Sequence, residues 1–381
     1  MDMLNVKRMS LAGVATGALM TVVTGTAVAQ TSDYYSRNKY EAVMDRRQQD
    51  FDPEPIRLGT VIVNSSVFGG LGYTSNARAT SSNEQSDVLA RIGADVSART
   101  DWSVHEVGLD VSASRDEYQD FSDESSNALS ARLRGKLDVT RQITAGGAVF
   151  FEERTDQRAD PSNASGTSSP IKFTTTGAEL NATYSNDRVR WYNTVTFAEQ
   201  DYEDTTSFTG VPIDQDFRDR TTTDALTRLS YAVTPNFAVF GQAAMNDREY
   251  DSQTLVDGLL RSRDSTAYTY SAGVDFELNS LLRGDIAVGF LEDKKDDAYF
   301  EDVSGVAVDG RVQWFPSRLT TATFVAGRRV VDSGVRNSPS SLMSNASARV
   351  DHELYRNLIL SGQVGYTVYE FEEVDREDEI T

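Results

Sequence analysis

The sequence predicts an all-β fold: a transmembrane antiparallel up-and-down β-barrel, about 16-stranded when complete. Three observations predict it. Apolar and polar residues alternate with a period of two through most of the 381 residues. The alternating stretches run 12 to 18 residues, longer than the roughly 5–6 of a soluble strand and long enough for a tilted bilayer crossing of about 9–11 with extensions. The connections alternate between tight turns and longer polar loops, which is how an outer-membrane meander is joined.

Composition narrows the rest. Hydrophobic residues make up 39%, and 26 Gly bring the apolar share to an ordinary value for a folded chain. A net charge of −21 argues against a nucleic-acid partner and against a polybasic membrane tether. The absence of Cys removes disulfides, thiolate metal sites and Cys nucleophiles. A mean hydropathy of −0.43, with no central apolar run of about twenty residues, excludes a helical membrane protein but not a barrel.

Residues 1–29 read as a secretion signal. Lys7 and Arg8 precede the uncharged run Met9 to Val23, and Ala27-Val28-Ala29 is a cleavage triplet before Gln30. Cleavage leaves 352 residues, and no Cys follows to carry a lipoprotein anchor. Residues 30–56 form a polar periplasmic extension bearing Tyr34, Tyr35, Arg37, Lys39, Tyr40, Arg46 and Arg47, with a short helix from Tyr40 toward Gln49. It can plug the lumen, dock an export partner or serve as a disordered lead, and the lead is favoured.

Residues 57–381 form the barrel. Leu129, Ala131, Leu133, Gly135, Leu137 and Val139 share one face, against Ser130, Arg132, Arg134, Lys136 and Asp138. Tyr268, Tyr270, Ala272, Val274, Phe276 and Leu278 oppose Thr269, Ser271, Gly273, Asp275 and Glu277. A helix would spread these charges around all sides, whereas a strand sorts them. Strands are expected near 57–75, 86–101, 103–116, 126–139, 142–155, 171–185, 188–202, 217–233, 236–250, 264–279, 283–294, 302–315, 318–332, 342–354 and 357–372. Tight turns include Asp101-Trp102, Asn186-Asp187 and Pro316-Ser317. Longer loops fall at 76–85, 117–125, 156–170, 203–216, 251–263, 295–301 and 333–341. All eight Pro are placed outside strand interiors. Trp102, Phe150, Phe151, Tyr184, Trp191, Tyr231, Phe237, Tyr268, Phe276, Trp314, Tyr355 and Tyr366 are expected to form interfacial girdles, since many sit beside the tight turns.

Fifteen strands are odd in number, and single-chain bacterial barrels close with an even one. The acidic end, Glu370 to Thr381, reads as another outer loop. The expectation is a chain cut short by one strand, with a natural 14-stranded closure as the alternative.

The charged face is expected to line the lumen. Its candidate channel-lining residues are Arg91, Asp95, Arg99, Asp110, Arg132, Arg134, Lys136, Asp138, Arg228, Asp275, Asp309, Arg311 and Arg349. Such a lining tunes solute selectivity, or else pairs across strands to hold a filled lumen. Arg132, Arg134 and Lys136 are the sharpest candidates for an anionic solute or sugar. The acidic loops, with Asp116, Glu117, Asp120, Asp123, Glu124, Asp201, Glu203, Asp204, Glu292, Asp293, Asp296 and Asp297, are read as a solvated outer surface that bridges lipopolysaccharide through divalent cations. None has the ligand spacing of a calcium loop. No metal or cofactor is expected. His105 near Glu106 and Asp110, and His352 between Asp351 and Glu353, are the His–carboxylate neighbours that a general base needs. No G-x-S-x-G or H-E-x-x-H occurs, so an enzyme is not expected.

The signal, the polar stretch Tyr34 to Gln49, the entry Phe51-Asp52-Pro53-Glu54-Pro55-Ile56-Arg57-Leu58-Gly59 and the hairpin meander together resemble the outer-membrane family called β-barrel porin 2. The resemblance spans most of the mature chain. It implies a pore in the outer membrane of a Gram-negative bacterium, of the kind that alphaproteobacterial exopolysaccharide loci encode. It also implies polysaccharide passage, with outer-membrane lipid and periplasmic polysaccharide-export proteins as partners. The different-class alternative is a non-conducting surface barrel that acts as an adhesin or anchor. No oligomeric state follows from the residues.

Overall fold

The structure, a computed structural model, describes residues 14–15, 41–46, 54–80, 83–156, 158, 167–279, 281–374 and 376–380. The signal segment, apart from Val14–Ala15, and most of residues 30–56 lie outside the described residues. Each expected strand is present. In chain order they are β1 (Val61–Thr74), β2 (Asp87–Thr100), β3 (Glu106–Tyr118), β4 (Ser126–Asp138) and β5 (Ile143–Thr155). Next come β6 (Lys172–Ser185), β7 (Val189–Tyr202), β8 (Arg220–Thr234), β9 (Phe237–Tyr250) and β10 (Ser265–Leu278). Then follow β11 (Leu282–Lys295), β12 (Val303–Ser317), β13 (Thr320–Val335), β14 (Ser338–Tyr355), β15 (Leu358–Phe371) and the short β16 (Arg376–Ile380). Every strand pairs antiparallel with its neighbour in sequence, an all-β, up-and-down order.

The period-two pattern becomes two unlike surfaces. Val67, Leu180 and Val364 are 78%, 66% and 69% exposed, and Leu133, Leu229, Val288, Val306 and Phe324 share their side of the wall. A water-soluble protein does not leave so continuous an apolar surface open, so this face is built for hydrocarbon. Trp102, Trp191, Tyr231, Trp314 and Tyr355 stand on it at the tight-turn end, roughly half exposed, as an interfacial girdle requires. Phe150 departs from the expected girdle. Its even position in β5 turns it to the opposite, inner face, beneath the Arg132 guanidinium at 5.5 Å.

Four boundaries differ from those read in the sequence. The entry strand is broken: Gly59, at φ 64, turns Ile56–Leu58 back onto Val61–Val63 as a small hairpin. A positive φ suits glycine because it lacks the Cβ that would clash. Residues 376–380, read as acidic loop, pair with Thr367–Phe371. Their alternation was too short to register against so many carboxylates. The turn at Val43–Asp45 is a single turn, and the rest of the expected helix toward Gln49 lies outside the described residues.

The largest difference is the expected loop 333–341. It is the tip of a hairpin, with β13 and β14 joined across Arg336-Asn337. Serines at 333, 338, 340 and 341 read as loop because they carry no apolar alternation. They are strand residues because they are buried, at 0–1% exposure. Pro339 thereby enters a strand, against the expectation, as do Pro316 near the end of β12 and Pro212 in the two-residue strand Pro212–Ile213. The ladder shifts register between Asp332 and Val335, and such an irregularity accommodates a residue without an N–H.

Candidate functional site

The inner face carries charge, and most of that charge is paired across strands. Arg91 Nε and Nη2 donate to the Asp116 carboxylate at 2.5 Å. Arg132 meets Glu179 at 2.6 Å, Arg134 pairs with Asp110 and reaches Glu106 at 3.6 Å, and Lys136 lies 3.5 Å from Asp138. Arg228 donates to Asp275 at 2.8 Å and stands 3.9 Å from Asp285. Arg349 holds Asp351 at 2.9 Å. Asp95 accepts from Ser66 Oγ at 3.3 Å. Arg99, Asp309 and Arg311 are exposed on the inner face and carry no ion pair among the described residues. The cluster Arg132, Arg134 and Lys136 therefore carries no excess positive charge, its three cations facing four carboxylates.

A local device recurs in this lining. Phe68, Phe150 and Phe240 each lie, in register, on a glycine of the next strand: Gly93, Gly177 and Gly273. A Cβ at any of the three glycines would run into that ring. Two residues beyond each glycine stands an acid: Asp95, Glu179 and Asp275. In two of the three units an arginine from the preceding strand lies over the ring, Arg132 over Phe150 and Arg228 over Phe240, and reaches that acid. Stacking and pairing lay the long side chains flat on the wall, so they do not project into the lumen.

Above Arg328 β13 leaves β12, while β14 stays paired with β15 up to Ser341–Phe371. β12 continues up to Val303, but its pairing with β13 stops at Val308–Arg328. Val330 and Leu342 pack on Leu291 and Ala307, inner-face residues of β11 and β12. The tip thus folds into the mouth at the long-loop end. There Asp332 binds Arg220 at 2.9 Å and Arg263 at 3.4 Å, and accepts from the Tyr250 hydroxyl. Arg263 also donates to the Ser333 and Pro339 carbonyls. Lys295 bonds Asp293 at 2.5 Å and Ser340 Oγ at 2.8 Å. Arg336 donates to the Asp214 carbonyl at 2.9 Å and lies over the Phe217 ring.

Around this contact the rim is dense with guanidinium. Arg218, stacked 3.9 Å from the Tyr202 ring centroid, pairs with Asp156 at 2.8 Å, and Arg158 clamps Glu124 at 2.9 Å. Two acids read as solvated outer surface, Glu124 and Asp293, are thus buried counter-ions. Asp204, Asp214 and Asp216 remain exposed, with carboxylate oxygens within 4.8 Å of one another. Two of the three already accept backbone N–H groups in this loop, Asp204 from Gln215 and Asp214 from Asp216. Burial raises the neighbouring Asp219 carboxyl to about 6, against the N–H bond from Tyr202, which favours the charged form.

Residues 41–46 stand at the tight-turn end. Ala42 and Val43 are buried, Val43 N donates to Thr321 Oγ1 at 3.0 Å, and Arg46 bonds Glu353 at 2.8 Å. Thr321 and Glu353 belong to the inner face of β13 and β14, so residues 41–46 lie against the inside of the wall. The two histidines are apart. His105 Nδ1 accepts from Asp138 N at 3.2 Å. His352 bonds Thr320 Oγ1 at 3.0 Å and, by alternation, faces away from Asp351 and Glu353.

None of the mouth cluster was singled out in the sequence. Its members come from β8, β9, β13 and the loop before β10, and only the fold brings Arg220, Tyr250, Arg263 and Asp332 together.

The family model described as Putative beta-barrel porin 2 matches residues 49–381. The chain belongs to that family. No curated protein matches the sequence. Among solved structures this porin-like barrel is similar to the copper transporter OprC, at 12% identity and TM-score 0.47, over 82% of this chain and 56% of that one. It is similar to the ferric-catecholate import receptor Fiu from E. coli K12, at 11% identity and TM-score 0.45, over 84% and 65%. The TodX monoaromatic hydrocarbon channel matches at 11% and TM-score 0.35, over 81% and 86%. The chain thus spans between half and two thirds of the length of the first two.

Proposed function

We propose that this porin-family barrel is a polar channel of the Gram-negative outer membrane, with the long loops outside, and that it passes a hydrophilic polymer, exopolysaccharide, from the periplasm. One observation carries the reading. The inner face is charged, with Arg132 and Arg228 stacked on rings and paired along the wall, while the outer face is continuously apolar. Closed on itself, a wall of about sixteen strands encloses an aqueous lumen unless something fills it. Two elements narrow that lumen, the β13–β14 tip at one mouth and residues 41–46 at the other. Passage is by diffusion, without chemistry on the solute.

The same two elements favour a second reading, a plugged surface barrel that does not conduct. Planar-bilayer recording of the purified protein separates the two. Discrete conductance steps are expected of the channel, and complete silence, including from protein lacking the hairpin tip, would leave the plugged scaffold.

A further inference from the structure

We propose that Arg220, Arg263 and Tyr250 form a carboxylate-binding site in the mouth, filled here by the chain's own Asp332, for which a uronate sugar in the lumen competes. The inference rests on the channel reading and names the solute class that the mouth recognises.

The cradle is shaped for a planar, two-oxygen anion. One oxygen of Asp332 takes Arg220 Nη1 at 2.9 Å, while the other meets Arg263 Nη2 at 3.4 Å and the Tyr250 hydroxyl. Guanidinium is the side chain best suited to that geometry. The cradle also has donors to spare. Arg263 is 1% exposed, and its Nε and Nη1 have no acceptor among the described residues. The same holds for Nη1 of Arg248, 7% exposed, and for Nε and Nη1 of Arg218, 2% exposed. Buried donors left without acceptors are costly, and a ligand that supplies further oxygens relieves the cost. A sugar acid brings hydroxyls beside its carboxylate.

Charge points the same way. Arg218, Arg220, Arg248, Arg263 and Lys295 face Asp156, Asp224, Asp293 and Asp332. Five cations against four carboxylates leave one positive charge with Asp332 in place, and two once it withdraws. Withdrawal breaks no pairing with the wall at β12, because that ladder has already ended at Arg328. The tip is held by the carboxylate contact, by Arg263 on the Ser333 and Pro339 carbonyls, by Lys295–Ser340, by Arg336 on Asp214 and Phe217, and by Val330 on Leu291 and Ala307. Asp332 is then an internal competitor whose place a solute carboxylate takes.

Calorimetric titration of the detergent-solubilised full chain with sodium trigalacturonate tests this, with maltotriose as the neutral control. Asp332→Asn removes the competitor's charge and is expected to tighten trigalacturonate binding about tenfold or more, the worth of one charge-assisted hydrogen bond. Arg263→Gln is expected to abolish the gain. Should that variant not assemble, Arg220→Lys keeps the charge, loses the planar fork and is expected to weaken binding several-fold. Equal affinity of wild type and Asp332→Asn, or equal binding of maltotriose, would overturn the assignment. The titration reads binding and not flow, so its failure is distinct from failure of the channel reading: a silent barrel can pass it and a conducting one can fail it.

Discussion

Arg228→Ala is expected to lower the barrel's unfolding free energy by about 3 kcal/mol or more, the usual cost of breaking a largely buried ion pair on one side. Arg228 bonds Asp275 at 2.8 Å, lies 3.9 Å from Asp285 and covers the Phe240 ring at 3.5 Å. The side chains of the two acids are only 7% and 3% exposed. Without the guanidinium they become two uncompensated carboxylates sharing one stretch of wall, and each must be rehydrated or protonated. The ring over Gly273 is uncovered as well. Tryptophan fluorescence through a urea titration in lipid vesicles measures the change. Arg228→Leu combined with Asp275→Asn and Asp285→Asn should recover most of the loss, because the charges leave together and packing stays. A loss below about 1 kcal/mol, the range of an exposed pair, would mean that these charges stand in bulk-like water.

Replacing residues 331–340 with a short Gly-Ser turn is expected to raise single-channel conductance several-fold while leaving the barrel assembled. The segment lies above the last β12–β13 pair, so its removal leaves that ladder whole. It takes away the Ser333–Ser340 tip and the Asp332 latch to Arg220, Arg263 and Tyr250. The apolar contact of Val330 and Leu342 with Leu291 and Ala307 lies outside the segment and stays. The thermodynamic cost to the wall is therefore modest, and the effect on the open section large. Conductance unchanged by the deletion would show that the tip does not obstruct the path.

The fold was legible because a strand wall repeats one simple rule. Val88, Ile92 and Val96 against Arg91, Asp95 and Arg99 already state which face meets hydrocarbon, and β2 forms as that pattern demands. The rule failed where it had nothing to read. Ser338, Ser340 and Ser341 are buried without being apolar, so the tip of the longest hairpin looked like loop. Phe150 sits next to Phe151, and only the parity of β5 sends one inward and the other out. The inner charges were found individually but not their partners. Pairings such as Arg132 with Glu179 or Arg228 with Asp275 span two strands and depend on register. The mouth cluster depends on more still, since Asp332 reaches Arg220 only because β13 departs from β12. Long-range geometry of that kind leaves no periodic trace in sequence.

The central claim is that the two faces of this wall meet different solvents, and a cysteine scan along β2 tests it most directly, since the chain has no cysteine of its own. Single substitutions at Ile92, Ala94, Asp95, Val96 and Ser97 would each carry a fluorophore in lipid vesicles. Strict alternation is expected. Labels at Ile92, Ala94 and Val96 should be quenched by brominated acyl chains, and those at Asp95 and Ser97 by an aqueous quencher. Equal aqueous quenching at all five positions, or acyl-chain quenching at the odd ones, would contradict it.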